Sequence, residues 1–186
     1  MKILRARDYR MMPWKNGGGS TAEIAIEPAD AEMARSDFVW RLSAAVIEES
    51  GPFSKFPGYR RILWAWKGEG LSLNGKAVER DRGFEFSGDE AVEATVGETP
   101  VFDLGFIYRP EKIAVEWGLF DFSRPERKRL ETGEGTQIFF CAAGKVEIDG
   151  VNISEGDTAM GATSGTTRLT VTAAARLIWI RVRGRT

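Results

Sequence analysis

Leu71-Ser72-Leu73-Asn74-Gly75 returns later in the chain as Val146-Glu147-Ile148-Asp149-Gly150. Each run alternates apolar and polar residues and ends on a turn dipeptide. Alternation with a period of two marks a strand with one covered face. Asn74-Gly75 is a strong signal for a tight hairpin. Gly83 and Gly88 follow the first run, Gly156 and Gly161 the second. The order strand, turn, glycine-led strand therefore occurs twice, which predicts two related β-units.

Outward from these runs the chain reads as more short strands. Residues 22–27, 38–47, 62–66, 83–88, 91–96, 101–108, 167–172 and 177–182 are strand-like, and only 28–36 suggests a helical turn. Many short strands with glycine-rich turns and little helix predict an all-β protein. A doubled unit of this kind fits the bicupin architecture, two RmlC-like jelly-roll β-barrels side by side. The predicted boundary is Tyr108-Arg109-Pro110-Glu111-Lys112, giving an N-terminal barrel over 1–108 and a C-terminal barrel over 109–186. No long linker separates them, so they are expected to pack as one body. Residues 110–186 hold no cluster of varied polar groups, so the second barrel is expected to be structural.

Composition narrows the chemistry. The 186 residues contain 26 basic and 27 acidic side chains and no histidine. Near charge balance disfavours direct nucleic-acid binding. Without histidine, the commonest metal ligand and the commonest general acid/base are missing. The usual Ser-His-Asp and Cys-His schemes are closed, and no clustered Asp/Asn/Gly loop of the calcium type appears. No catalytic set, metal site or cofactor is expected. The single cysteine, Cys141, lies in the apolar run 138–142 and reads as a buried thiol. The N-terminus has no apolar leader segment, and no run approaches membrane-span length. A cytoplasmic protein with no membrane partner is the expectation.

The polar variety is concentrated in Trp14-Lys15-Asn16-Gly17-Gly18-Gly19-Ser20-Thr21-Ala22-Glu23-Ile24. Three glycines free the backbone to approach a neighbour closely. The Walker phosphate-loop reading fails, because Lys15 precedes the glycines and a strand follows them. A plain turn and a ligand loop both fit the local residues. In 38–47, Phe38, Trp40, Leu42, Ala44 and Val46 share one face, and Val39, Arg41, Ser43, Ala45 and Ile47 the other. Both faces are largely apolar, so Arg41 needs a partner, either a protein carboxylate or an anionic ligand. The loop 50–61 is dense in aromatics and cations, and places Arg61 at the start of a strand.

Trp14-Lys15-Asn16-Gly17-Gly18-Gly19-x-Thr21-x-Glu23-Ile24, then Trp40-Arg41-x-Ser43, then Gly51-Pro52-Phe53-Ser54-x-Phe56-Pro57-Gly58-x-x-Arg61 resemble, in order, three motifs of the HutD/Ves family. The match is sharp over about the first third of the chain; beyond it only Gly68-Glu69-Gly70-Leu71 and Gly156-Asp157 continue it. The resemblance implies a bicupin with a small pocket in its N-terminal barrel, no metal-binding histidine set, and often a homodimer. It also implies a role in histidine utilisation, through binding a small anionic intermediate such as formylglutamate or urocanate rather than catalysing a step. One segment departs from the family. Where Asp-Phe-Asn-x-Met followed by basic residues is expected, this chain has Asp103-Leu104-Gly105-Phe106-Ile107-Tyr108-Arg109.

The candidate ligand-binding residues are Trp14, Lys15, Asn16, Gly17, Gly18, Thr21, Glu23, Trp40, Arg41, Ser43, Phe56 and Arg61. Arg61 and Arg41 suit carboxylate oxygens. Thr21, Ser43, Asn16 and the glycine backbone offer hydrogen bonds, and Trp14, Trp40 and Phe56 offer apolar walls. Glu23 orients Lys15 or Arg41. Two other readings stay open. One is a metal-independent cupin enzyme of the isomerase or epimerase kind, with Lys15 or Glu23 as base. The other is an interaction or carbohydrate-binding module using Trp64, Trp66, Trp117 and Trp179.

Overall fold

A computed structural model describes residues 1–14, 17–35, 37–162 and 165–185. Nineteen strands and two short 3-10 turns make up its regular structure. The strands are β1 (Lys2–Leu4), β2 (Arg10–Pro13), β3 (Gly19–Glu27), β4 (Trp40–Ile47), β5 (Gly51–Pro52), β6 (Arg60–Lys67), β7 (Ser72–Leu73), β8 (Lys76–Ala77), β9 (Phe84–Ser87), β10 (Glu93–Thr95) and β11 (Val101–Tyr108). They continue as β12 (Ile113–Phe122), β13 (Glu126–Thr132), β14 (Thr136–Ala143), β15 (Lys145–Ile148), β16 (Val151–Ser154), β17 (Thr158–Ala162), β18 (Gly165–Val171) and β19 (Ala175–Gly184). The chain is all-β, as its alternation predicts, and of bicupin type. None of its described helices is long and apolar enough to cross a membrane.

Two compact units divide the chain. One is Arg10–Lys112; the other joins Met1–Tyr9 to Ile113–Thr186. The sequence reading draws its boundary at 108–112 and counts 1–9 with the N-terminal barrel; in the structure Met1–Tyr9 group with Ile113–Thr186. β1 pairs antiparallel with β17, Lys2 opposite Met160. The pairing is secured by Asp157, which accepts from Ala6 N–H at 2.9 Å, Arg5 Nη1 at 2.8 Å and Ser154 N–H at 3.0 Å. Tyr9 Oη adds bonds to Gly156 O and Thr158 Oγ1.

Each unit has a larger and a smaller sheet. In Arg10–Lys112 the orders are β2-β3-β4-β11-β6-β9 and β5-β10-β7-β8. In the other unit they are β1-β17-β14-β19-β12 and β13-β18-β15-β16. The sequence echo falls on corresponding places. Asn74-Gly75 and Asp149-Gly150 both adopt positive φ at both positions, 48° and 75° against 48° and 87°. That is the turn geometry that matches the twist of paired strands. Each turn also fastens to a neighbouring strand in the same way. Asn74 N–H donates to Glu93 O and Glu93 N–H to Asn74 Oδ1; Asp149 N–H donates to Arg168 O and Arg168 N–H to Asp149 Oδ1.

The apolar faces pack inside each unit. Ile47, Leu63, Leu71, Leu73, Phe86 and Val101 belong to one cluster in Arg10–Lys112. Phe139, Cys141, Val146, Ile153, Leu169 and Leu177 belong to the cluster of the other unit. Cys141 is fully buried, and burial pushes its thiol up to about 12, which leaves it inert as a nucleophile. Trp64 and Trp66 are buried, and Trp117 and Trp179 are half-buried. The tryptophans proposed as stacking platforms are therefore largely packing residues.

Candidate functional site

The large sheet of Arg10–Lys112 brings alternate residues of neighbouring strands onto one face. Ala45 of β4 lies opposite Thr21 of β3 and Asp103 of β11; Ser43 lies opposite Glu23 and Gly105; Arg41 lies opposite Ile107. Across β11, Gly105 faces Leu63 and Ile107 faces Arg61 of β6. This face and the segments over it enclose a cavity of about 660 Å³. Its polar wall is Thr21, Arg41, Ser43, Ser54, Arg61 and Asp103, and its apolar wall includes Met12, Trp14, Met33, Phe53, Phe56 and Ile107.

Arg41 is buried, with 3 % of its surface exposed. Its Nε donates to Glu23 Oε2 at 2.8 Å and its Nη1 to Ser43 Oγ at 3.2 Å. Its Nη2 is buried and has no hydrogen-bond partner among the described residues. Glu23 lies opposite Ser43 and Arg41 is two residues further along the same face of β4, so the two meet diagonally across the strands; the register slips by one residue just beyond, between Glu23 and Ala25.

Arg61 is held differently. Its guanidinium lies 4.9 Å from the Phe86 ring centroid, 5.1 Å from Phe53 and 5.4 Å from Phe56. Its Nη1 donates to Ser54 O at 2.9 Å. It makes no ion pair among the described residues. Burial, only partly offset by the charge of Asp103 and reinforced by Arg41, lowers its pKa to about 10. Arg61 stays cationic at neutral pH, with three aromatic faces around it.

Asp103 shares the cavity floor. It is 6 % exposed, and burial raises its carboxyl to about 7 against the pull of Arg61 and Arg41. Beside it, Gly105 opens the floor. A Cβ there would sit 3.6 Å from Ser43 Oγ and 3.9 Å from Asp103 Oδ1, ordinary contact distances.

The glycine stretch is a turn. Gly17 N–H donates to Trp14 O and Trp14 N–H to Gly19 O, joining β2 to β3. Gly18 O accepts from Glu48 and Glu49 N–H. Gly17 has φ +77°, and a Cβ on Gly19 would collide with Val46 O and crowd the Trp14 ring. The glycines thus shape the hairpin and seat Trp14, whose Nε1 donates to Thr21 Oγ1 at 2.7 Å.

Of the residues singled out from sequence, Trp14, Thr21, Arg41, Ser43, Phe56 and Arg61 line the cavity. Lys15 and Asn16 lie outside the described residues. Gly17, Gly18 and Glu23 do not line it; Glu23 supports Arg41 from behind, and Gly17 spends its N–H on the turn. Trp40 does not wall the cavity. It occupies the opposite face of β4, buried, with its ring 5.6 Å from Phe106. The sequence reading missed Met12, Met33, Gly105 and Ile107, and left Asp103 outside the ligand set, between a site role and tying down a strand. The signal for Asp103, Gly105 and Ile107 was the period of β11. These three are the cavity-facing positions of the segment that departs from the family pattern, with Gly105 and Ile107 at the substituted positions.

The other unit holds an open hollow lined by Ala114, Glu134, Gly135, Arg183, Gly184 and Arg185. Arg183 there is already paired with Glu116, which also takes Arg181.

Known proteins resemble this chain in sequence and fold. The HutD family model matches residues 6–179. A Pseudomonas putida protein described as an uncharacterized 21.2 kDa protein in the hutC 3′ region is 37% identical over 153 residues, covering 80% of this chain and 77% of that one. The structure of HutD from Pseudomonas fluorescens SBW25 superposes with a TM-score of 0.79 at 32% identity, covering 100% of this chain and 99% of that one. A cupin 2 conserved barrel protein from Leptotrichia buccalis, 11% identical with a TM-score of 0.58, covers 98% of this chain and 96% of that one and shows the fold alone.

Proposed function

The chain belongs to the HutD family, which is associated with histidine utilisation, and from that premise we propose that it is a non-catalytic binder of a small carboxylate metabolite whose occupancy modulates that pathway. One observation carries this reading. Among the described residues the cavity holds two incompletely paired guanidiniums, Arg41 through its buried Nη2 and Arg61 through its lack of a carboxylate partner. A buried donor without an acceptor costs free energy until a ligand supplies one, and guanidinium is suited to carboxylate. The aromatic and methionine walls fit the short carbon chain or ring of a formylglutamate- or urocanate-like acid. Function in the cytoplasm, with no direct nucleic-acid contact, belongs to the same proposal, as does a homodimeric state.

A thermal-shift screen tests it, with formylglutamate, urocanate, glutamate and formate run against the native chain and Arg61→Ala. A ligand that binds only the folded state stabilises it by about 2.7 kcal/mol at a hundred times its Kd. The expected result is a concentration-dependent rise in Tm with one acid, lost in Arg61→Ala. No rise with any acid, or a rise that Arg61→Ala leaves intact, overturns the assignment.

A second reading, a metal-independent enzyme, draws on Asp103. A buried carboxyl near 7 in a cavity has the poise of a general base. Chemical change in a bound acid, followed by NMR and lost in Asp103→Asn, would favour it.

A further inference from the structure

The cavity floor around Gly105 is a notch with three polar neighbours. The position a Cβ would take is 3.6 Å from Ser43 Oγ, its nearest neighbour, and 3.9 Å from both Asp103 Oδ1 and the Ser43 carbonyl oxygen. Ser43 Oγ accepts from Arg41 Nη1 at 3.2 Å, and its hydroxyl keeps a hydrogen to donate. Asp103 is buried and forms no ion pair among the described residues. The charged groups that act on it are Arg61 from β6 and Arg41 from β4, with Glu23 of β3 behind Arg41.

An anion seated in this notch gains Arg41 and Ser43 as donors. It also meets Asp103 at close range. If Asp103 is ionised, two like charges share a low-dielectric pocket, an arrangement in which one of them takes up a proton. The protonated carboxyl then becomes a third donor. We propose, on the reading above that the cavity takes a small carboxylate, that Asp103 binds the ligand in its protonated form and donates its O–H to the ligand carboxylate. Each anion then enters with one proton from solvent, and the pair leaves together. No covalent bond in the ligand forms or breaks. Because burial already raises Asp103 to about 7 in the empty cavity, that proton is available near neutral pH. Asp103 is thus a specificity residue: it admits a carboxylate together with a proton.

The sign of the pH dependence follows. Anion binding raises the Asp103 pKa further. Below the free value Asp103 is already protonated, and affinity is flat. Above it, each unit of pH weakens binding by up to about tenfold, until the pKa of the complex is passed.

Calorimetric titration of the full chain with formate tests this at about pH 6 and about pH 8.5, in paired buffers of contrasting ionisation enthalpy. Formate itself is fully ionised across that range. The expected result at the higher pH is weaker binding with close to one proton taken up per formate. Asp103→Asn, whose amide donates at every pH, is expected to keep the low-pH affinity throughout and to take up no proton. If that variant fails to fold, the buffer comparison on the native chain decides alone. Formate binding with the same affinity at both pH values and no proton uptake overturns the inference and leaves the carboxylate reading standing. Absence of binding by formate and by formylglutamate at both pH values overturns the carboxylate reading and this inference with it.

Discussion

Arg41 Nε and Glu23 Oε2 meet at 2.8 Å across neighbouring strands whose register slips by one residue between Glu23 and Ala25. The carboxylate holds one end of the guanidinium. The other end, Nη2, has no partner among the described residues. A charge buried this deeply persists only when paired, and Glu23 supplies that pairing. Glu23→Gln is therefore expected to destabilise the protein as well as weaken ligand binding. The Glu23 side chain is 27% exposed, so the loss should fall below the roughly 3–5 kcal/mol of a fully buried pair, at about 2 kcal/mol. Urea unfolding of native and variant chains measures it.

Arg61 is held by rings and one carbonyl, with no carboxylate within ion-pair distance among the described residues. Arg61→Lys keeps the charge and loses the planar fork and its stacking. Ligand affinity is expected to fall at least about tenfold in this variant, with Tm lowered only modestly. A rescue of full affinity by lysine would show that charge alone suffices.

Gly105 sets the depth of the cavity. Its Cβ position meets only ordinary contact distances, so Gly105→Ala should fold as well as the native chain. Reduced entropy of the unfolded chain is expected to add about 0.4–1 kcal/mol of stability. The added methyl occupies the notch, so binding of small acids is expected to weaken while Tm stays level or rises. A variant with raised Tm and intact affinity would place the ligand elsewhere in the cavity.

Asp103 carries a stability signature in the empty protein. Its folded pKa lies above the unfolded value, so its favourable contribution is complete below the unfolded carboxylate range. That contribution is lost as pH rises toward about 7, at up to about 1.4 kcal/mol per unit of pH. Asp103→Asn is expected to be more stable than the native chain at about pH 8 and to flatten this dependence. Denaturant midpoints across the pH range read it directly.

Asp157 shows the opposite sign. Burial pushes its carboxyl up, but the Ser154 and Ala6 N–H groups and Arg5 outweigh burial and hold it below the usual carboxylate range. Its contribution is present above the unfolded pKa and lost as pH falls through the folded one. Asp157→Ala is expected to release β1 first, seen as faster hydrogen exchange at 2–4 and along β17 while 10–112 stays protected.

Much of this site was legible because strands alternate. The same period that puts Arg41, Ser43 and Ala45 on one face also puts Trp40 on the other, so Trp40 and Arg41 were never able to wall one cavity from one strand. Asp103 was harder. Its partners Ala45 and Ala65 are set by register, and register between distant strands is a tertiary property that local pattern does not carry. Glu23 facing Arg41 likewise depends on the β3–β4 register, which no residue in 19–27 announces. β12 and β13 were hidden for a different reason. β12 is half-exposed over most of its length and β13 is rich in exposed charge, so neither shows a covered face. The paired turns were legible because Asn-Gly and Asp-Gly act locally. That their side chains fasten to Glu93 and Arg168 was not.

β1 pairs with a strand made much later, one that includes Met160, so Lys2–Leu4 stay unpaired until that strand is made. Residues 10–112 contain every strand of their own two sheets and are free to fold as soon as they emerge. The nascent chain therefore completes the Arg41–Arg61 cavity before Lys2–Leu4 find their partner. A carboxylate that binds as proposed would meet its site while β1 is still unpaired, and the capture of β1 by β17 would follow.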